Sequence, residues 1–226
     1  MGLIGARIGD DVRQLRPDFR AISIVATGVE NRIDHPIARA LLAEARKSLD
    51  FAPWADAHLE AWRETFRAFG AKPKKTASSV EALRSRVAKS GELPPINAVV
   101  DLYNAVSIKF ALPVGGENLD SYVGRPRLIR ADGSETFDTV RDGRLIHEPV
   151  DRGEVIWRDD LGTTCRRWNW RQCLRTRIEP SSTRLWFVLE ALAPMADEAV
   201  EDAARSLCGA LAVISPSASI DRQWLR

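Results

Sequence analysis

A run of short strand candidates in the second half of the chain constrains its fold more than any other feature. The candidates span 127–131, 135–139, 144–147, 154–159, 163–168 and 183–191, and turn signals such as Asp132-Gly133 and Asp142-Gly143 separate them. Strands this close together in the sequence pair most readily as antiparallel hairpins. This half of the chain therefore predicts antiparallel β-structure rather than alternating strand–helix units.

The first half of the chain predicts one buried strand followed by helices. Apolar alternation places the strand over 19–29, and helical spacing places helices over 36–49, 53–69, 78–91 and 96–110. Asp34 is a candidate cap for the first helix, Ser78 and Glu81 fit a capping box, and Gly91 is a natural helix stop. A last helix begins at Pro194, and residues 215–226 are expected to form a loose tail.

Segregated helices and strands are typical of the α+β class. No long polar linker divides the 226 residues, so a single domain over 1–226 is expected. Residues 1–20 hold no apolar core typical of a signal peptide, and no stretch approaches the roughly 18 apolar residues of a membrane span. Cys165, Cys173 and Cys208 are an odd number of cysteines, so reduced thiols and a cytoplasmic location are expected, with no membrane partner.

The charge balance argues against a histone-like binder of nucleic acid. The chain has 33 basic and 31 acidic side chains, a formal net charge of +2 and a pI of about 8.5. Non-specific nucleic-acid binders usually have a pI above about 9, so any such role here needs a local basic patch. Standard nucleotide, dinucleotide, hydrolase and zinc motifs are absent from the sequence, and no metal or cofactor is expected.

One candidate patch is the segment 166–177, which contains five Arg, two Trp and no acid. Arg neutralises phosphates, and a Trp ring stacks on a base with about 1–3 kcal/mol. If the segment is a strand, Trp168 and Trp170 share one face, with Arg167, Asn169 and Arg171 on the other. The composition fits equally a nucleic-acid surface and a core Trp face with Arg outside, paired to acids.

Three further stretches are candidate sites, each with a structural alternative. Pro113–Asn118 contains Gly115 and Gly116, which let a ligand approach the backbone or simply form a tight turn. Lys74 and Lys75 precede the Ser78 helix start, where an anion could bind or the loop could be merely solvated. The 96–110 helix has a polar stripe formed by Asn97, Asp101 and Asn104. Either this stripe faces a pocket, or Asn97 and Asp101 cap the helix and Asn104 bonds to a neighbouring loop.

The run from Leu93 to Val106, with its Pro-Pro-Ile-Asn-Ala-Val-Val-Asp core, resembles the B3/B4 domain of the phenylalanyl-tRNA synthetase beta subunit. The chain is most similar to free-standing relatives of that domain, over roughly residues 60–192. Four blocks in the same order carry the resemblance: Trp62-Arg63-Glu64 with Phe69-Gly70; Pro73-Lys74-Lys75 with Ser78-Ser79; Leu93 to Asn104 with Pro113-Val114-Gly115-Gly116-Glu117; and Cys165 to Arg171.

The resemblance implies a compact three-layer domain with a mixed, sandwich-like β-sheet core flanked by helices. In the synthetase this domain is an editing site that hydrolyses the ester of tyrosine misattached to the phenylalanine tRNA, without a metal and by positioning water. The family turn has His where this chain has Gly115, and no acid aligns with the one that contacts the tyrosine hydroxyl. Tyrosine specificity is therefore not carried over to this sequence.

The motifs and the resemblance together nominate a set of site residues. Asn97 and Glu117 are the catalytic candidates, which would orient water or the amino group. The substrate-binding candidates are the basic residues Lys74, Lys75, Arg166 and Arg171, with Ser79, Asn104, Gly115, Gly116, Trp168 and Asn169. In this set the basic side chains would hold the tRNA acceptor end, and the glycines would let the ester approach the backbone.

The expected function is a tRNA-binding hydrolase that deacylates mischarged aminoacyl-tRNA in trans. Its partners would be the acceptor end of tRNA and an aminoacyl ester or amino acid. Two alternatives remain open on the sequence. One is a tRNA- or RNA-binding module without catalysis, which the missing turn His favours. The other is a pocket for an amino-acid-like small molecule that has lost RNA binding, which the modest net charge favours.

Overall fold

The computed structural model describes residues 5–225. Its helices are α1 (Asp10–Leu15), α2 (Pro36–Ala43), α3 (Ala55–Ala68), α4 (Ser79–Ser90), α5 (Ala98–Phe110) and α6 (Asp197–Ile214), with short 3-10 turns at Glu44–Arg46 and Leu119–Ser121. Its strands are β1 (Arg7–Ile8), β2 (Arg20–Thr27), β3 (Val114–Asn118), β4 (Arg127–Arg130), β5 (Thr136–Arg141), β6 (Arg144–Pro149), β7 (Val155–Arg158), β8 (Thr163–Arg166), β9 (Arg171–Gln172), β10 (Arg184–Ala191) and β11 (Ser219–Leu225).

A four-stranded antiparallel sheet in the order β11-β2-β10-β3 forms the centre of the fold. Both β2 and β10 are apolar on each face, as strands covered on both sides must be. Ile24 and Phe187 are opposite each other and face a core shared with α5 and α6. Trp186 and Val188, their neighbours in β10, belong to the core on the other face.

A second sheet, in the order β1-β4-β7-β8-β9, covers that other face. It is mixed, because β1 runs parallel to β4 while the remaining pairs are antiparallel. Trp157 of β7 packs edge-on against Trp186 of β10 with ring centroids 5.1 Å apart. Helices, central sheet and mixed sheet form three layers, so the predicted α+β class with a sandwich-like core is confirmed.

The helix boundaries follow local capping chemistry. The Ser78 side chain accepts a hydrogen bond from the Glu81 backbone N–H at 3.4 Å, and Gly91 ends α4 with a φ of 86°. Both features were expected from the sequence. The expected cap at Asp34 is wrong, because His35 takes that position and its Nδ1 accepts from the Ile37 N–H.

The expected loose tail at 215–226 is also wrong. Residues 219–225 form β11, which pairs with residues 21–27 of β2 along the edge of the central sheet. Trp224 and Leu225 pack against the two cores on either side of that sheet. The remaining residues of the strand are mostly polar, and Ser219, Asp221 and Arg222 are exposed, so the sequence shows no clear apolar alternation there.

The predicted strand over 163–168 ends earlier, at Arg166. Arg167 and Trp168 have φ values of 47° and 66°, so the chain turns there instead of continuing extended. In the part of the chain described, no helix is long and apolar enough to cross a membrane. Within the same residues, no group of His, Cys, Asp and Glu side chains is arranged to hold a metal ion.

Candidate functional site

A cavity of about 290 Å³ lies where β3 and β10 face the turn after β8. Helices α4 and α5 close two of its sides. Its walls are mostly apolar and aromatic, and a few polar groups converge inside, as in sites for small ligands. The side chains and backbone that line it include Ser79, Leu83, Tyr103, Asn104, Gly115, Gly116, Glu117, Trp157, Cys165, Trp168, Asn169, Trp170, Arg171, Gln172, Val188 and Glu190.

The two glycines of β3 let neighbouring side chains pack directly against the strand. A Cβ on Gly116 would lie 2.7 Å from Cε1 of Tyr103, and one on Gly115 would lie 3.2 Å from Cγ1 of Val188. The segment is an extended strand paired with β10, not the tight turn that was the structural alternative. The bare backbone of Gly116 therefore makes room for the Tyr103 ring, which lines the cavity.

Two buried carboxyl groups are the main polar feature of the cavity. Glu117 is 4% exposed and accepts a hydrogen bond from the Tyr122 hydroxyl at 2.6 Å. Glu190 is 1% exposed and accepts from the Trp157 indole N–H at 2.8 Å and the Asn169 amide at 2.9 Å. Burial raises the pKa of each carboxyl to about 7. Both groups therefore exchange between the neutral acid and the carboxylate near neutral pH.

Other polar atoms at the cavity have no hydrogen-bond partner within the described residues. They include Oδ1 of Asn169 and Oγ of Ser79, and both atoms are buried. A buried acceptor without a partner costs about 1–3 kcal/mol, so a ligand donor would stabilise Oδ1 of Asn169. Cys165 also lines the cavity, but burial raises the pKa of its thiol well above its usual range, so the group stays neutral.

The turn at residues 167–170 places one wall of the cavity. Two consecutive left-handed residues, Arg167 and Trp168, reverse the chain after β8. Trp168 is fully buried, with its ring 4.9 Å from Phe19 and 5.5 Å from Trp62 between centroids. The anchored turn holds Asn169 and Trp170 at the cavity.

Trp170 is an aromatic platform at the edge of the cavity, flanked by two guanidinium groups. The Arg167 guanidinium lies 4.5 Å from the ring centroid and that of Arg171 lies 5.8 Å from it. Arg171 is exposed and is a cation of the cavity lining. This arrangement suits a ligand with a flat ring and a negative charge.

The structure brings together eight of the twelve site residues that the sequence nominated. These are Ser79, Asn104, Gly115, Gly116, Glu117, Trp168, Asn169 and Arg171. Lys74 and Lys75 line neighbouring surface clefts instead. Asn97 and Arg166 lie outside the cavity and are engaged in structural contacts.

Asn97 caps α5 and ties it to a neighbouring loop. Its Oδ1 accepts from the Val100 N–H at 3.0 Å, and its Nδ2 donates to the Ile178 carbonyl at 3.2 Å. With 2% of its surface exposed, Asn97 has the cap role that was the structural alternative, rather than a place beside the cavity. The polar stripe of the 96–110 helix therefore splits, since Asn104 alone of its three residues reaches the cavity.

Arg166 forms a buried ion pair instead of an RNA-facing surface. Its guanidinium donates to both carboxylate oxygens of Glu154 at 2.9 and 2.7 Å, and its side chain is 6% exposed. Arg175 of the same segment is paired with Asp159 at 2.8 Å. Arg166 and Arg175 are therefore paired with acidic side chains, which was the structural alternative to a nucleic-acid surface for this segment.

The sequence reasoning missed Glu190, Tyr103, Trp157 and Gln172 as cavity residues. Glu190 had a detectable signal, because it is the one acid in the apolar stretch from Leu185 to Leu192. A carboxyl in a strand buried on both faces needs partners, and a cavity is where such a group is useful. Tyr103 and Trp157 match core residues in sequence, and Gln172 matches an ordinary polar strand residue, so only the fold reveals their position.

Comparison with known proteins agrees with this architecture. The crystal structure of an N-terminal fragment of the phenylalanyl-tRNA synthetase beta subunit from Pyrococcus horikoshii superposes with a TM-score of 0.51 at 10% sequence identity. The match covers 95% of this chain and 49% of the fragment, so the chain spans about half the length of that relative. At this identity the likeness shows the fold alone, and among curated proteins no sequence matches. The B3/4 domain family model matches residues 61–208, well over half of the sequence, and the chain therefore belongs to the B3/4 domain family.

Proposed function

We propose that this protein binds the aminoacyl end of a mischarged tRNA and hydrolyses the ester bond. The observation that carries the proposal is an amino-acid-sized cavity of about 290 Å³ containing two buried carboxyls whose pKa values are near 7. A group with a pKa near the working pH is the best compromise for accepting and returning a proton.

Glu117 is the candidate that orients and activates water. As a carboxylate it accepts the proton of a water molecule whose oxygen attacks the ester carbonyl carbon. The new C–O bond replaces the bond to the ribose oxygen, which leaves with the proton. An aminoacyl ester is an activated acyl group, so holding water against it supplies much of the acceleration. The Tyr122 hydroxyl, 2.6 Å from Glu117 Oε2, fixes the orientation of the carboxyl.

The α-ammonium group of the substrate has acceptors available on the opposite wall. The Asn169 Oδ1 atom has no partner and is buried, and the neighbouring Glu190 carboxyl carries part of a negative charge at neutral pH. Apolar contacts with Trp157, Trp168 and Val188 then surround the side chain of the amino acid. These contacts support binding of an amino acid but do not select one.

Trp170 and Arg171, at the edge of the cavity, would bind the terminal nucleotide of the tRNA. Stacking on Trp170 is worth about 1–3 kcal/mol. Arg171 would neutralise the adjacent phosphate, because its guanidinium is exposed there. The aminoacyl group and its nucleotide would thus be held by adjoining parts of one turn.

Deacylation of a panel of mischarged tRNAs tests the proposal. The wild-type protein should accelerate release of at least one amino acid, and Glu117→Gln should reduce the rate by about 100-fold or more. Glu92→Gln, a matched change at an exposed position, should leave the rate unchanged. For a base with a pKa of about 7, kcat/KM should rise with pH up to about 7 and then level off. Absence of acceleration with every tRNA of the panel refutes the proposal.

One observation favours a second candidate, a pocket for a free amino acid or its ester without RNA. Arg166 and Arg175 are held in ion pairs, so fewer of the cations in 166–177 are available to RNA than the sequence implies. A thermal shift with an amino acid or an amino-acid methyl ester, without any binding of tRNA, would favour this candidate. Binding of tRNA without deacylation would instead favour the non-catalytic RNA-binding module.

A further inference from the structure

A second cleft, of about 410 Å³, lies beside the candidate site. The loop that follows α3 forms one side and the turn before β7 forms the other. None of its residues takes part in the proposed hydrolysis. Charged side chains from both sides line it together with Phe69, Gly70, Ala71 and Thr76; they are Lys72, Lys75, Asp151, Arg152, Glu154 and Arg167.

The charge of this cleft is positive and largely unneutralised. Lys72, Lys75 and Arg152 are exposed, and among the described residues none of them forms an ion pair. Glu154 is 4% exposed in its side chain and is already neutralised by Arg166 at 2.7 Å. Asp151 is the remaining acid, and its side chain is 80% exposed. The cleft therefore has more cations than its own acids can balance.

The cleft and the cavity share one turn. Arg167 lines the cleft, while Trp170, whose ring lies 4.5 Å from the Arg167 guanidinium, lines the cavity. On the opposite side Thr76 lines the cleft, and Ser79, at the start of α4, lines the cavity. The Ser79 N–H donates to the Asn169 carbonyl at 3.2 Å, which joins the two sides between cleft and cavity. The cleft and the cavity therefore adjoin along this turn, with Arg167 on the side of the cleft and Trp170 on the side of the cavity.

We propose that this cleft binds the phosphate backbone of the single-stranded RNA whose 3′ end occupies the cavity. The inference rests on the proposed function and names the surface that receives the substrate. Mobile Lys side chains neutralise phosphates without reading bases, which suits a strand whose sequence is the same in every tRNA. The Arg167 guanidinium, between platform and cleft, would contact the phosphate nearest the terminal base.

Binding of a labelled single-stranded RNA ending in CCA, measured by fluorescence anisotropy at several salt concentrations, tests the proposal. Each lost phosphate contact lowers the log–log salt slope by about 0.7, which corresponds to about fivefold in affinity at 0.1 M salt. Lys75→Ala and Arg152→Ala should each show this loss. Lys89→Ala, the same change at the exposed far end of α4, should bind like wild type.

Asp151→Asn gives an expected gain that no folding defect can produce. Removing the one exposed acid of the cleft should raise RNA affinity by about the same factor with which Lys75→Ala lowers it. Equal affinity of Lys75→Ala and Lys89→Ala, weaker binding by Asp151→Asn, or no salt-dependent RNA binding by wild type would each overturn the proposal.

A small substrate separates this inference from the proposed function. Lys75→Ala should slow deacylation of mischarged tRNA but leave hydrolysis of an amino-acid methyl ester unchanged, since the ester has no phosphate. If wild type hydrolyses the ester but the cleft variants bind RNA as wild type does, the cleft does not bind the RNA backbone, and the proposed hydrolysis still stands. If the cleft variants weaken RNA binding but no ester is hydrolysed by wild type, the proposed hydrolysis is refuted and the cleft proposal stands.

Discussion

Replacing Glu190 by Gln should change how the stability of the protein depends on pH. The carboxyl is 1% exposed, and burial raises its pKa from 4.5 to about 7. Gln keeps the shape and removes the charge. Its amide accepts from the Trp157 indole through Oε1, and its Nε2 can donate to Asn169 once that amide turns its unpartnered Oδ1 inward. The variant should therefore fold with little loss of packing.

The magnitude follows from the difference in pKa between the folded and unfolded chains. Between pH 4.5 and about 7 the folded protein keeps a proton that the unfolded chain has released. Stability therefore falls as pH rises through this window and levels off above it. The shift corresponds to on the order of 3 kcal/mol, and Glu190→Gln removes this loss. The variant should be similar to wild type at pH 4.5 and more stable at pH 8.

Urea unfolding of both proteins at pH 4.5, 6 and 8 measures the effect. Comparison with wild type at each pH removes the contributions of groups that titrate identically in both proteins. A stability difference that grows with pH by on the order of 3 kcal/mol supports the reasoning. Parallel pH profiles would refute it, because they would mean that Glu190 titrates in the folded protein as it does in the unfolded chain.

Other substitutions test the packing, the buried ion pair and the buried histidine. Gly116→Ala should lower the free energy of unfolding in urea by about 1–3 kcal/mol, since its Cβ would meet the Tyr103 ring. Gly209→Ala, in open space on α6, should raise it by about 0.5–1 kcal/mol. Equal effects of the two substitutions would contradict the close packing at Gly116. Arg166→Ala should cost up to about 3–5 kcal/mol, because the buried Glu154 carboxylate would keep only the Arg167 backbone N–H at 3.0 Å and the Arg167 guanidinium at 3.7 Å. A cost below about 1 kcal/mol would count against this. His58, whose pKa burial lowers to about 4, should make wild type gain stability over His58→Gln as pH rises from 4 to 6.5, and a pH-independent difference would disprove it.

Much of the fold could be predicted because periodicity is a direct consequence of burial. The apolar strand β2 and helices α4 and α5 lie near their predicted positions. The strand β3 was missed because its two glycines carry no side chains that alternate. The strand β11 was missed because an edge strand needs few apolar residues to pair. Pairing partners, not side-chain patterns, determine these two strands.

The candidate site was predicted where a motif is local and missed where it depends on long-range packing. Ser79, Glu117 and Asn169 come from three separate blocks of sequence and meet at one cavity. Sequence spacing could not distinguish the Arg166 side chain, which is buried, from that of Arg171, which is exposed. The left-handed turn between them makes the difference, and Arg and Trp are not residues that predict such a conformation.

The central sheet has a consequence for how the chain folds during synthesis. The family match covers 61–208, but β2 and β11 lie outside it and supply two of the four strands of the sheet. Val25 pairs with Trp186 on one side and Asp221 on the other, so β2 has both of its partner strands only after residues 184–225 have been synthesised. Until then its apolar side chains stay uncovered, which favours slow folding and a need for chaperones. An excised 61–208 fragment would lack half of its sheet and should aggregate.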